Sequence, residues 1–197
     1  MILWLAWAAA QDYRFPSTDA QRELFYPTAY RDEGGVDWAC RDLFYGGHRG
    51  SDFGAGGFAG MDEGRTVVAA AEGVVIAAHD GEDDRCTSGA CGDEVYGNHV
   101  EVRHPDGRTT LYGHLARGSL VVAEGDHVGC GAPVGRMGSS GWSTGPHLHF
   151  GLRDLDDAYV DPFAGPCSPD ANAWVEPGGW GEVPAATCAP EVAACVP

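Results

Sequence analysis

From residue 66 onward the sequence breaks into short apolar runs separated by Gly, Asp and Pro: Thr66-Val-Val-Ala, Gly73-Val-Val-Ile-Ala-Ala, His99-Val-Glu-Val-Arg, Thr109-Thr-Leu-Tyr, Leu120-Val-Val-Ala and Leu148-His-Phe-Gly-Leu. Runs this short, rich in β-branched residues and closed by turn residues, predict strands and leave little room for helix. The clearest pairing is a hairpin of residues 98–104 with 108–115. Its turn, Pro105-Asp106-Gly107, supplies one fixed and one positive φ. The expected fold is therefore all-β. With 44% apolar and 10% aromatic residues in 197, the chain can fill the core of one such domain.

The flanks read differently. Residues 1–10 are an apolar run ending Ala8-x-Ala10, which predicts a cleaved export signal and is too short to cross a bilayer as a helix. Residues 11–45 are polar and aromatic without sustained period, an extension expected to wrap the domain, with one short helix near residues 19–25. Residues 46–165 form the expected domain, and the Pro/Ala/Gly-rich residues 166–197 form a tail. Seven cysteines in no C-x-x-C pair predict disulfides and an oxidising compartment: periplasm, cell wall or outside the cell. Cys86 with Cys91 and Cys188 with Cys195 are the natural local pairs, and the odd number leaves one thiol over. The formal charge of −17, with 12 Arg and no Lys, would repel nucleic acid and disfavours adsorption to anionic lipid. Asp80-Gly-Glu-Asp-Asp84 lacks the Gly and distal Glu of an EF-hand and reads as a solvated loop.

Four of the eight histidines fall in patterns that make chemical sense together. His48-Arg-Gly-Ser-Asp52 places nitrogen and oxygen donors where they can fold back on one point. In His147-Leu-His149-Phe-Gly-Leu152, alternation buries Leu148, Phe150 and Leu152 and turns both imidazoles to a groove. In Thr110-Leu-Tyr112-Gly-His114, alternation places Thr110, Tyr112 and His114 on one face, opposite Leu111 and Leu115. The loop Gly138-Ser-Ser-Gly-Trp-Ser-Thr-Gly-Pro146 leads into His147, with small residues that let a peptide approach and hydroxyls and amides that can donate to it. Gly-x-Ser-x-Gly and H-E-x-x-H are absent, which removes the serine hydrolases and the helical zinc proteases that use them.

His48-x-x-x-Asp52, Gly97-Asn98, Tyr112-Gly-His114-Leu115 and Ser143-Thr-Gly-Pro-His-Leu-His149-Phe150 resemble the lysostaphin-type (LytM-like) zinc endopeptidases, which cut peptide cross-links of bacterial peptidoglycan. The likeness spans about residues 46–163 and implies an antiparallel β-sheet or sandwich platform with a loop-walled groove. It implies that His48, Asp52 and His149 hold one Zn2+ per chain, and that His114 and His147 are the unligated pair flanking the substrate. It further implies peptidoglycan peptides as substrate, no stable membrane insertion, and action as a monomer. Three protein ligands would leave a fourth zinc position for water, as in catalytic rather than structural sites. The alternative is a non-enzymatic relative, a regulator or scaffold of wall hydrolases, recognisable by loss of one of the five positions. Tyr112 is a lesser candidate for oxyanion donation, with packing its expected role. Two departures from the usual pattern are expected on groove loops: the Gly-rich residues 53–65, and an insertion holding Cys86 and Cys91.

Overall fold

The computed structural model describes residues 12–190, so the apolar run at 1–10 and Cys195 lie outside the described residues. The strands are β1 (Tyr26–Ala29), β2 (Ser51–Gly54), β3 (Thr66–Val68), β4 (Gly73–His79), β5 (Asn98–Arg103), β6 (Thr109–Leu115), β7 (His127–Val128), β8 (Pro133–Arg136), β9 (His147–Arg153) and β10 (Tyr159–Val160). An eight-stranded antiparallel sheet runs β1-β2-β9-β6-β5-β4-β7, with β10 also on β9, and β3 pairs β8 in a two-stranded sheet. The all-β expectation and the 105–107 hairpin are met. The run at 120–123 is not a strand, although Val121 N–H still reaches the Val134 carbonyl at 3.2 Å.

Alternation along β9 builds the core as read: Leu148, Phe150 and Leu152 are fully buried with Tyr112, Val100, Val102 and Phe53. Each such side chain contributes about 1.5–3 kcal/mol by leaving water. The Gly-rich stretch after β2 is not all loop, because it contains a short helix, α1 (Gly57–Glu63). Glycine is demanded at Gly60, where a Cβ would stand 1.8 Å from the Ala55 carbonyl oxygen.

The flanks join the domain: β1 of the N-terminal extension pairs with β2 at the sheet edge, and both flanks pack aromatic side chains onto the core. Tyr13 bridges Trp174 in parallel, with Tyr13 N–H on the Ala173 carbonyl and Val175 N–H on that of Tyr13 at 2.7 and 2.8 Å. Rings connect the layers: Trp38 stacks on Phe163 at 5.4 Å, Phe163 meets Trp174 at 5.5 Å, and Trp174 meets Phe150 of β9 at 5.0 Å. Three disulfides join Cys40 to Cys167, Cys86 to Cys91 and Cys130 to Cys188. The expected Cys188–Cys195 pair is thus corrected. The tail folds back far enough to reach Cys130, so Cys188 is tied to the domain instead of to its neighbour in sequence.

Candidate metal centre

Register assembles the centre. β2 and β9 pair with Asp52 opposite His149 and Gly54 opposite His147, while β6 sets Gly113 on the other side of His149. His48 arrives from the turn before β2. The intervening Gly50 is forced, because a Cβ there would lie 2.5 Å from the Phe150 carbonyl and 2.8 Å from the His149 ring. The ligand-type atoms of His48, Asp52 and His149 converge: His48 Nε2 lies 3.1 Å from Asp52 Oδ1 and 3.2 Å from His149 Nδ1, and His149 Nδ1 lies 2.9 Å from Asp52 Oδ1. All three side chains are buried, and together they could hold a metal ion.

The tautomers show what kind of occupant suits this cluster. A carbonyl can only accept, so the nitrogen facing it carries the proton. His48 Nδ1 donates to the Tyr30 carbonyl at 2.7 Å, His114 Nδ1 to that of Ser140 at 2.8 Å, and His147 Nδ1 to that of Gly145 at 2.8 Å. Each of these imidazoles therefore presents a lone pair at Nε2. When His48 is neutral, this tautomer turns its Nε2 lone pair to Asp52 Oδ1 at 3.1 Å, an acceptor facing an acceptor that a bound cation would bridge. Two zinc bonds of 2.0–2.1 Å at a tetrahedral angle would separate their ligand atoms by about 3.3 Å, close to what is seen. Burial works to raise the Asp52 pKa, but His147, His149 and His48 outweigh it and hold the carboxyl well below its ordinary value.

His114 reaches the site by an unexpected route. Alternation does not carry it there beside Tyr112: Tyr112 lies on the core side, wholly buried, with its hydroxyl accepting from Ala70 N–H at 2.7 Å and from Thr110 at 2.9 Å. Oxyanion donation by Tyr112 is thereby excluded, and packing is its role. His114 takes a left-handed φ of 59°, opposite a register shift between Asn98 and Val100, and this break reverses the side of the sheet it faces. Such a conformation is costly for a non-Gly residue and persists only where surroundings enforce it. Here His114 N–H is fixed to the Tyr96 carbonyl at 2.8 Å. Its ring lies 4.6 Å from that of His147 and 5.8 Å from that of His149. Burial, then the neighbouring His147 and His149, pushes the His114 pKa down to about 3, so it is neutral at neutral pH.

Several contributors were not legible as such. Tyr45 stacks on His48 at 4.2 Å and donates its hydroxyl to Asp52 Oδ2 at 3.1 Å, while burial and the Asp52 charge raise its pKa and keep it protonated. Tyr96 covers His149, with ring centres 5.1 Å apart. The 138–146 loop, expected to offer hydroxyls and amides, acts on the histidines through its carbonyls. The Cys86–Cys91 insertion braces that loop, with Cys86 N–H on the Ser139 carbonyl and Cys91 N–H on the Gly141 carbonyl at 2.9 and 3.0 Å. His104 is a buried structural residue tied to Glu72 and Thr110.

Fold and site together define an antiparallel β platform carrying a three-residue cluster suited to a cation, with two further imidazoles beside it. The chain belongs to peptidase family M23, whose model matches residues 46–162. It is 50% identical over 58 residues to the DD-carboxypeptidase/endopeptidase Mpg of Neisseria meningitidis, covering 29% of this chain and 13% of that protein. It is 30% identical over 105 residues to the peptidoglycan DD-endopeptidase ShyA of Vibrio cholerae, covering 53% and 20%. The matched stretches are thus small parts of these relatives' own lengths. Among solved structures, a point mutant of the catalytic domain of the prophage-encoded M23 protein EnpA from Enterococcus faecalis is similar over 78% of this chain and 96% of that one, at 28% identity and a TM-score of 0.52.

Proposed function

We propose that this chain is a zinc-dependent endopeptidase that hydrolyses peptide bonds in peptidoglycan stems or cross-bridges. The observation that carries the reading is the convergence of His48, Asp52 and His149 within 3.2 Å, with two further imidazoles alongside. A zinc ion held by those three residues would polarise the scissile carbonyl and lower the pKa of water toward about 7. His114 and His147, each with Nδ1–H engaged by a carbonyl and with His147 Nε2 3.6 Å from Asp52 Oδ2, are the groups that take the proton from the attacking water and return it to the leaving amine. Once protonated, the same Nε2 atoms steady the oxyanion. The names of the Neisseria and Vibrio relatives support peptidoglycan as the substrate. The three disulfides support export to the periplasm, wall or medium. A regulator that had lost catalysis would not need all five side chains, and here all five meet.

The test is elemental analysis of the purified protein, with mass spectrometry of a defined muropeptide digest. One zinc per chain and a new amine and carboxylate at a single peptide bond are expected. Protein that takes up no zinc and leaves the digest unchanged would overturn the reading.

A further inference from the structure

Beside the metal centre lies an open pocket of about 360 Å³, lined by Arg31, Asp32, Gly47, His48, Arg49 and Tyr159. It shares His48 with the centre, so a peptide crossing that residue must pass it. Its charges are unequal in availability. Arg31 is engaged with Glu33. The Asp32 carboxylate accepts backbone N–H bonds from Gly34, Gly35 and Gly47 at 3.0, 2.7 and 2.8 Å, which lowers its pKa and occupies both oxygens. Arg49 is exposed and has no carboxylate partner among the described residues; its guanidinium stands 5.8 Å from the Tyr159 ring centre. The wall runs on from there: Tyr159 and Tyr96 join hydroxyls at 2.9 Å, and Tyr96 covers His149.

We propose that this pocket is the subsite for a free carboxylate of the substrate peptide, with Arg49 as the residue that selects it. The proposal rests on the peptidase reading above and adds the class of peptide that the centre takes. The chain carries 29 acidic residues and a formal charge of −17, so its overall field repels anionic peptides. The Arg49 guanidinium, with no carboxylate partner among the described residues, sets a positive charge against that field beside the centre. Stem peptides of peptidoglycan carry carboxylates that are not spent in backbone bonds, and a planar guanidinium fork matches a carboxylate with two parallel hydrogen bonds. Arg49 touches no reacting atom in this scheme. It sets which peptide is held.

The experiment compares one cross-linked muropeptide with its free carboxylates intact and the same peptide with them converted to amides. Wild-type protein is expected to show a KM about tenfold lower for the free acid at similar kcat, the scale of one partly solvated charge-assisted contact. The preference should shrink as salt is raised toward about 0.5 M. Calorimetric titration of chelator-treated protein should show the same order of binding without turnover. Arg49→Gln should make the two peptides equivalent, and Arg49→Lys should restore part of the difference. Equal KM values in wild type, or a preference that survives Arg49→Gln, would overturn the subsite. Failure of wild type to cleave either peptide would instead count against the peptidase reading.

Discussion

Residues 46–162 and the segments on either side of them divide the labour unequally. The matched stretch supplies the three clustered ligand-type side chains, His48, Asp52 and His149, and the neighbouring imidazoles of His114 and His147, while Tyr45 just ahead of it donates to Asp52. Among the described residues the flanks supply no ligand-type atom to the cluster, yet they hold one of its members in place. The Tyr30 carbonyl, from the N-terminal extension, takes the Nδ1 proton of His48 and so turns its Nε2 lone pair toward Asp52 and His149. Tyr30 is in turn held from the tail. Its hydroxyl accepts Gly181 N–H at 3.0 Å, and its ring packs on Phe163 at 5.2 Å. Cys40–Cys167 ties the two flanks across 127 residues. The proposed ligand set thus lies in the family stretch, while the orientation of His48 depends partly on what surrounds it. Such outer partners commonly tune metal affinity by about 10–100-fold.

The sharpest way to break this division is inside the matched stretch. His149→Ala should remove stoichiometric zinc and reduce muropeptide hydrolysis to background, as read by elemental analysis and mass spectrometry. Zinc retained at wild-type affinity would mean that the ligand set is wrong. Next in size, His114→Ala should leave zinc bound and lower turnover by about 10² or more, the usual scale for a general acid–base group. Unchanged turnover would remove His114 from the chemistry.

How much of this was legible follows the same line. Alternation in His147-Leu-His149-Phe-Gly-Leu152 fixes which side of β9 is buried, because three large apolar residues on one face need a core. It failed at Tyr112 and His114, because a positive φ in a histidine and a register shift in the partner strand reverse the side without any change in composition. The Tyr30, Ser140 and Gly145 carbonyls were invisible for a simpler reason, since every residue has one and only the fold says where it points. The strand expected at 120–123 has the composition of one but finds no ladder. Cys188 ignored its neighbour in sequence because the tail folds back along the domain.

A smaller effect would sharpen the flank side. Replacing Cys40 and Cys167 together by Ser should cost about 2–4 kcal/mol of stability, read by denaturant unfolding. It should also weaken zinc binding about tenfold or more in competition with a chromogenic chelator, because the Tyr30 carbonyl loses one of its restraints. Lower stability with unchanged zinc affinity would show that the flanks fasten the fold and leave the ligand alone.

A different kind of effect belongs to the seam where the two regions meet. Asp161, at the end of the matched stretch, is fully buried, and its Oδ1 accepts Phe163 N–H at 2.8 Å while Oδ2 has no hydrogen-bond partner. Burial first, then the nearby carboxylates of Glu33 and Asp170 from the flanks, raise its pKa from 3.8 to about 8, against the opposing pull of the Phe163 N–H and Arg31. Between those values the folded chain keeps a proton that the unfolded chain has released. Stability from this group is therefore present at low pH and declines as pH rises through the window, reaching its minimum above about 8. Asp161→Asn keeps the acceptor for Phe163 N–H and cannot ionise. Its melting temperature should lie near that of the wild type at about pH 5 and several degrees above it at about pH 9, because the variant is spared a buried charge. Parallel melting curves for the two proteins across that range would mean that the flanks do not press on Asp161, and that the seam is electrostatically slack.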